Sequence, residues 1–325
     1  MMTITVLIPT YRRPLDLVRC LEALKKQTRK ADQVLVVVRD TDTETWTFLE
    51  SYNRDSLPLR IVTVKVTGVV AAMNEGLDVA TGEILVTTDD DAAPHPDWLQ
   101  RIEAYFESDS RIGGVGGRDW QYVGTQIKEI GERTKVGRLQ WFGRVIGEHH
   151  LGVGPAREVD VLKGVNMAYR RTAIKGMHFD ERMRGTGAQV HFELAFTLPI
   201  KRAGWKIIFD PLVAVDHYLA VRFDEDQRYI FNDIAWSNTV HNETLVLLEH
   251  FAPIQRITFL LWAIFIGTRE ALGIVQYLRF LPKEGGLAWK KWLASMRGRA
   301  QGWQTWRNCR LADGVSANRL SSSQS

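Results

Sequence analysis

Residues 83–99 read EILVTTDDDAAPHPDWL, and the architecture follows from this segment. A short apolar run, preceded by Gly82, ends abruptly in Asp89, Asp90 and Asp91. Continuous apolar runs of this length read as strands buried on both faces. The three carboxylates then stand at the strand's C-terminal end, where open α/β sheets bind their ligands. Adjacent carboxylates repel one another, and a hard divalent cation held by oxygen is the usual compensation. A solvated acidic turn before the helix expected over 94–106 is the plain alternative. The placement between an apolar strand and a proline-led helix favours the cation.

Upstream, the same alternation repeats. Residues 3–8 (TITVLI), 33–38 (QVLVVV) and 59–64 read as strands, and 14–27, 43–53 and 69–80 as helices, the first opened by Pro14. Strands separated by helices predict a mainly parallel sheet covered on both faces. Chemistry is therefore expected after Ile8, Val38 and Thr88. Downstream, glycines multiply, and 120–154 reads as a long excursion over the site. Order returns with 159–162 and KGVNMAYRR at 163–171. A helix over 190–203 and strand-like runs at 206–209 and 213–215 complete the first two-thirds.

Past Tyr218 the character changes. Residues 229–250 read as helix, and the apolar 251–267 is interrupted early by Arg256. The uninterrupted run from Ile257 falls short of the ~20 apolar residues that a membrane span requires. A helical hairpin dipping into or lying on a bilayer is the preferred reading, and a helix pair buried within the protein is close behind it. Trp289, Trp292, Trp303 and Trp306 interleave with Lys and Arg, as in membrane-interfacial segments; packing on the rest of the protein explains them equally. The expected domains are therefore 1–220, an α/β catalytic domain, and 221–325, a helical appendage with a disordered tail from about 316.

At 325 residues, 45% hydrophobic and 25% charged, the chain is of ordinary globular composition, which excludes fibrous and disordered classes. The net charge of +4 is concentrated late: from Arg279 onward nine Lys and Arg face only Glu284 and Asp313. That asymmetry suits an anionic lipid surface. Nucleic acid is not expected, because no recognition motif accompanies the charge. Cys20 and Cys309 lack metal-site spacing, and no secretory signal opens the chain. The expected location is the cytoplasm, at the inner face of the cell membrane.

Four segments together resemble family 2 glycosyltransferases of the GT-A fold over about residues 3–218. They are VLIPTYRRPLDLVRCLEALKKQT (6–28), GVVAAMNEGLDVATGEILVTTDDDAAPHPDWL (68–99), KGVNMAYRR and GTGAQVHFELAFTLPIKRAGWKIIFDPLVAVDHY (185–218). The resemblance implies an inverting transfer of one sugar from a nucleotide-diphosphate sugar, a uridine diphosphate sugar by default. The hydroxyl acceptor would be lipid-linked or a polysaccharide, as in cell-surface polysaccharide or glycolipid synthesis. It implies that Pro9, Thr10 and Tyr11 line the nucleotide pocket, that Arg13 reaches a phosphate, and that Asp40 or Asp42 meets the base or ribose. Asn74 takes the place of a donor-contacting Asn, although Met73 replaces the basic residue usual before it. Asp89 and Asp90 face the donor, and Asp91, with Asp89 and His217, holds Mg²⁺ or Mn²⁺. Glu193 is the expected catalytic base, with His191 as the alternative. The family commonly carries an acidic pair there, and Phe192 occupies its first position. The QxxRW signature of processive synthases is missing, which favours transfer of a single sugar.

Two other readings remain open: a nucleotide-sugar-binding protein of the same fold without activity, and a nucleotidyltransferase. The second expects a glycine-rich basic loop after the first strand, and IPTYRRP lacks the glycines. His241, Asn242 and Glu243 form a polar cluster that core polarity or capping explains, with acceptor contact the weaker reading.

Overall fold

The structure is a computed structural model that describes residues 1–54, 56–228 and 230–322. The chain divides into two compact units. The first comprises Met1–Gln140, Val145–Glu181 and Phe192–Phe223; the second comprises Trp141–Arg144, Arg182–His191 and the rest from Asp224.

The first unit opens with three β–α pairs close to the expected bounds: β1 (Ile4–Thr10), α1 (Pro14–Lys25), β2 (Gln33–Arg39), α2 (Thr43–Ser51), β3 (Leu59–Val64) and α3 (Val69–Val79). Then come β4 (Ile84–Thr87), β5 (Ala92–Pro94), α4 (Trp98–Ser108) and the long β6 (Ile112–Val123). The helix expected from residue 94 thus starts at Trp98. Pro94 instead ends a short strand, a position tolerated because proline lacks only a donor.

The expected excursion begins later than residue 120, because β6 continues through Trp120 to Val123. After it come β7 (Gln126–Ile127), β8 (Arg138–Leu139), β9 (Val145–Ile146), a 3₁₀ turn at His149–Leu151 and β10 (Arg157–Glu158). The unit closes with β11 (Met167–Arg170), α5 (Phe192–Arg202) and β12 (Lys206–Tyr218). The two strand-like runs expected at 206–215 are one strand.

Among the described residues, the main path of the sheet runs β3-β2-β1-β4-β11-β6-β12-β10, with β5 paired to β12 and β7 to β6. β1, β2, β3 and β4 are mutually parallel, as are β6 and β12, whereas β11 runs antiparallel between β4 and β6. Chain order reverses at β1, which has β2 on one side and β4 on the other. Such a switch point opens a crevice beyond the strand ends. Ile4, Val6, Ile8, Val34, Val36 and Val38 are fully buried beneath α1 and α4 residues such as Leu17, Leu21, Trp98 and Leu99. β12 bulges against β6 between Asp210 and Val215. Gly117 permits the bulge: a Cβ there would lie 1.9 Å from the Val213 carbonyl oxygen.

The second unit holds α6 (Asp233–His250), α7 (Pro253–Phe265), α8 (Ile274–Glu284) and α9 (Gly286–Ser322). The helix expected over 229–250 begins at Asp233, capped by the Asn232 side chain; Tyr229 lies outside the described residues. The backbone of α9 covers most of the expected tail, and 323–325 lie outside the described residues. Among the described residues, no helix is long and apolar enough to cross a membrane.

Candidate active site

The site begins with the turn after β1. Arg12 adopts a left-handed φ of 58°, which costs a non-glycine residue energy and needs support. Asp42 supplies it: Oδ2 accepts from Arg12 N at 2.6 Å, while Oδ1 caps α2 through Thr45 N at 3.1 Å. The turn delivers Arg13 to the acidic triplet, 3.0 Å from Asp90 Oδ1 and 3.3 Å from Asp91 Oδ2. The triplet therefore has a cationic neighbour that its local sequence does not show.

Sheet register brings in the remaining groups. β12 pairs His217 with Ala92 on β5, next to Asp91 in sequence, and with Gln121 on β6. Asp119 is two residues before Gln121, so it projects from the same face of β6. His217 consequently lies between two carboxylates, Nδ1 at 3.3 Å from Asp119 Oδ2 and Nε2 at 3.3 Å from Asp91 Oδ1. Asp119 Oδ2 also accepts from Gln121 Nε2 at 2.9 Å and from Lys163 Nζ. Asp91 is pinned by Tyr218 N to its backbone oxygen at 2.8 Å and by Ala220 N to Oδ2 at 3.0 Å.

The electrostatics follow from burial and excess charge. Asp90, Asp91, Asp119 and His217 are all buried. Desolvation pushes the Asp90 carboxyl upward, and Arg13 opposes this while Asp91 adds to it. Desolvation likewise works against the Asp119 carboxylate, yet Lys163 and His217 hold it well below the usual range. Burial would lower His217, but Asp91 and Asp119 outweigh it and push the imidazole up to about 9. Four carboxylates thus gather around Arg13, Lys163 and one histidine.

Such a gathering of carboxylates fits a cation. Ligand atoms of Asp89, Asp91 and His217 all lie within 4.8 Å of one another. His217 Nε2 is buried and makes no aligned hydrogen bond. Two carboxylates and an imidazole suit a hard or borderline divalent ion. Asp119 on Nδ1 is the outer carboxylate that orients a ligating histidine.

The other expected residues separate into two groups. Thr10 donates to Asp90 Oδ2 at 2.7 Å, and Asp90 is fully buried. That pair, with Arg13, holds the triplet in shape. Asp42 likewise uses both oxygens within the fold. Asp40 is exposed at the end of β2. Asn74 is a bolt: Nδ2 donates to Phe179 O at 3.0 Å and Oδ1 accepts from Phe179 N at 2.8 Å. Pro9 lies in β1 opposite Val37. The Tyr11 ring lies edge-on to Phe223, with the Arg39 guanidinium 4.8 Å from its centroid.

Glu193 is half-buried on the first turn of α5 and is not among the groups converging within 4.8 Å. Phe192 beside it is core: a Cβ on Gly164 would lie 2.8 Å from its Cζ, and it packs on Phe179. Glu193 is therefore the acid of the first turn of α5. His191 belongs to the second unit and has a φ of 76°. Asp119 and Lys163 went unrecognised in the sequence. A lone aspartate closing a glycine-rich apolar run (GGVGGRD) was the available signal.

Comparison with known proteins agrees with this geometry. The profile of glycosyl transferase family 2 matches residues 5–176. The glycosyltransferase AglE of Haloferax volcanii is 31% identical over 104 residues, 30% of this chain and 33% of the relative. The chain spans only 33% to 43% of the length of the curated relatives it matches. Among solved structures, S. aureus TarS 1-349 in complex with UDP-GlcNAc superposes with a TM-score of 0.60 at 16% identity, covering 93% of this chain and 81% of that one. The mannosyltransferase PcManGT of Pyrobaculum calidifontis, in complex with GDP-Man and Mn²⁺, gives 0.54 at 16% identity, covering 93% and 88%. At such identities the likeness is one of fold, the GT-A type of α/β sheet.

Proposed function

The chain belongs to glycosyl transferase family 2, and from that premise we propose that it moves one sugar from a nucleotide-diphosphate sugar to a hydroxyl acceptor, with inversion and with a divalent cation. The observation that carries this reading is the gathering of carboxylates at the strand ends, where half-buried Asp89 and buried Asp91 and His217 converge within 4.8 Å. These three would hold Mg²⁺ or Mn²⁺, and a bound cation neutralises the charge gathering on a departing diphosphate. Solved proteins of like fold carry UDP-GlcNAc in one case and GDP-Man with Mn²⁺ in another. We infer a nucleoside diphosphate sugar, with uridine as the default base.

In the proposed reaction the acceptor oxygen bonds to the anomeric carbon while the carbon–oxygen bond to the diphosphate breaks. The bond's electron pair leaves with the diphosphate, and Glu193 accepts the proton of the hydroxyl. Asp40 is positioned for the base or ribose, since Asp42 is engaged in the fold. Arg13 and Thr10 act one step back, fixing Asp90 and Asp91. A lipid-linked or polysaccharide acceptor fits the single-transfer reading.

Two measurements test it. A thermal-shift panel of nucleotide sugars should show stabilisation that requires Mn²⁺ or Mg²⁺, because ligands that bind the native state raise apparent stability. Glu193→Gln should keep that shift and lose about 10²–10⁴ in turnover. A wild type stabilised by sugar nucleotide but without transfer would instead leave the binding-protein reading. No stabilisation by any donor would remove both.

A further inference from the structure

The second unit carries a surface that the transfer reaction does not use. On α7, Ile254, Ile257, Leu261, Ile264 and Phe265 are exposed at helical spacing, while Phe259 and Ala263 on the opposite side are fully buried. On α8, Ile274, Val275, Leu278 and Leu281 form a second exposed stripe, and no residue of this helix is buried. The two helices are joined by a tight turn in which Gly267 bridges to Leu272. Patches of contiguous exposed apolar side chains on a folded protein mark an interaction surface.

The charges beside the stripes indicate what covers them. On α8, Arg279 and Lys283 are exposed along the border of the apolar arc. Arg269 in the connecting turn and Lys290 on α9 are exposed as well, against one exposed acid, Glu270. Glu284 is paired with Lys291 at 2.7 Å. At the start of α9, Trp289 and Trp292 pack with Tyr277, their ring centroids 5.0–5.8 Å apart, and Trp289 is 45% exposed. Apolar stripes bordered by cations and aromatic rings are the pattern of helices lying in a membrane interface. A second copy of the chain fits poorly, because two such faces would press like charges together.

We propose that the α7–α8 hairpin docks in the plane of an anionic lipid bilayer, its apolar stripes in the acyl boundary and its cations among the headgroups. The lengths agree: 13 and 11 residues span about 20 and 16 Å, short of the ~30 Å hydrocarbon core, so the helices lie flat. The inner face of a cell membrane supplies such an anionic surface. This placement stands apart from the donor chemistry and holds or fails without it.

The test is co-sedimentation of the full chain with vesicles of phosphatidylcholine, with and without about one third phosphatidylglycerol. The wild type is expected to partition at least about tenfold more strongly onto the anionic vesicles, and less so at high salt. L261E/L278E should abolish binding to both. R279E/K283E, at solvent-facing positions that folding tolerates, should erase the preference for phosphatidylglycerol. Transfer to a water-soluble acceptor should be unchanged in both variants, which separates this proposal from the catalytic one. Equal partition of the wild type and both variants would overturn it, as would a wild type that ignores vesicles. A wild type that instead dimerises in sedimentation velocity, with L261E/L278E monomeric, would reassign the face to self-association.

Discussion

Both units bury polar clusters, and the clusters differ in one respect. In the helical unit, Glu243 meets Arg299 at 3.5 Å, and Arg299 also donates to Ala271 O at 3.2 Å. His241 bonds Asn242 and Thr305, and Asn242 ties the backbone of Arg184 and Val190 to α6. Acid and base are matched one to one, and each group's partners are structural. In the sheet unit, four carboxylates crowd together around Arg13, Lys163 and His217. Matched pairs signify architecture. Crowded carboxylates repel one another, cost stability and persist where a cation is to be bound.

The contrast predicts opposite outcomes for two isosteric changes. Asp91→Asn removes a ligand from the crowded carboxylates. Turnover should fall about 10³-fold and Mn²⁺ binding should be lost by calorimetry, while the melting temperature without metal holds or rises. Glu243→Gln strands the Arg299 guanidinium, which burial already disfavours. Leaving one buried ion without its partner should cost about 3–5 kcal/mol in denaturant unfolding, with turnover per folded molecule unchanged. If the two variants behaved alike, the distinction between crowded carboxylates and a matched pair would be wrong.

A lone buried histidine sharpens the point. His149 Nε2 donates to Val161 O, 3.0 Å away, with Phe209 against its ring. Burial dominates, and its pKa is pushed down to about 4. The unfolded chain, near 6.5, then binds more protons between pH 6.5 and 4, so stability must fall as pH drops through that window. At ~1.4 kcal/mol per unit the loss reaches about 3 kcal/mol. His149→Gln should flatten this part of the curve relative to wild type. A wild type of equal stability at pH 6.5 and 4.5, once compared with the variant, would show that His149 charges without penalty.

Much of this was legible in the sequence, for identifiable reasons. The strands and helices up to Thr87 were readable because each is a local period bounded by proline, glycine or a cap. His217 was legible as a partner of Asp91 only through family resemblance, since they stand 126 positions apart in the chain. Asp119 and Lys163 were not legible: their contact depends on β6, β11 and β12 lying side by side, which no local pattern states. Arg13 as a phosphate contact rests on family resemblance alone, and no local pattern states that it meets the three aspartates. In the fold, the turn at Arg12 folds that arginine back onto them. Pro94 was read as a helix opener because proline favours both a first helical turn and a strand end, and only the pairing with Val215 settles which.

The smallest expected effect comes from the closest pair, Asp40 and Asp42, two residues apart and indistinguishable by sequence as donor contacts. Asp42 is buried with both oxygens committed, one to Arg12 N and one to Thr45 N at the start of α2. Asp42→Ala should therefore cost about 1–2 kcal/mol, the ordinary price of a lost helix cap plus a loosened turn. Its effect on donor affinity should be indirect and small. Asp40 is exposed at the end of β2, and Asp40→Ala should leave the melting temperature in place and raise the donor KM about tenfold, the worth of one hydrogen bond to a base or ribose. If instead Asp42→Ala raised KM without loss of stability, the carboxylate that meets the nucleotide would be the buried one. The turn after β1 would then have to open before a donor enters.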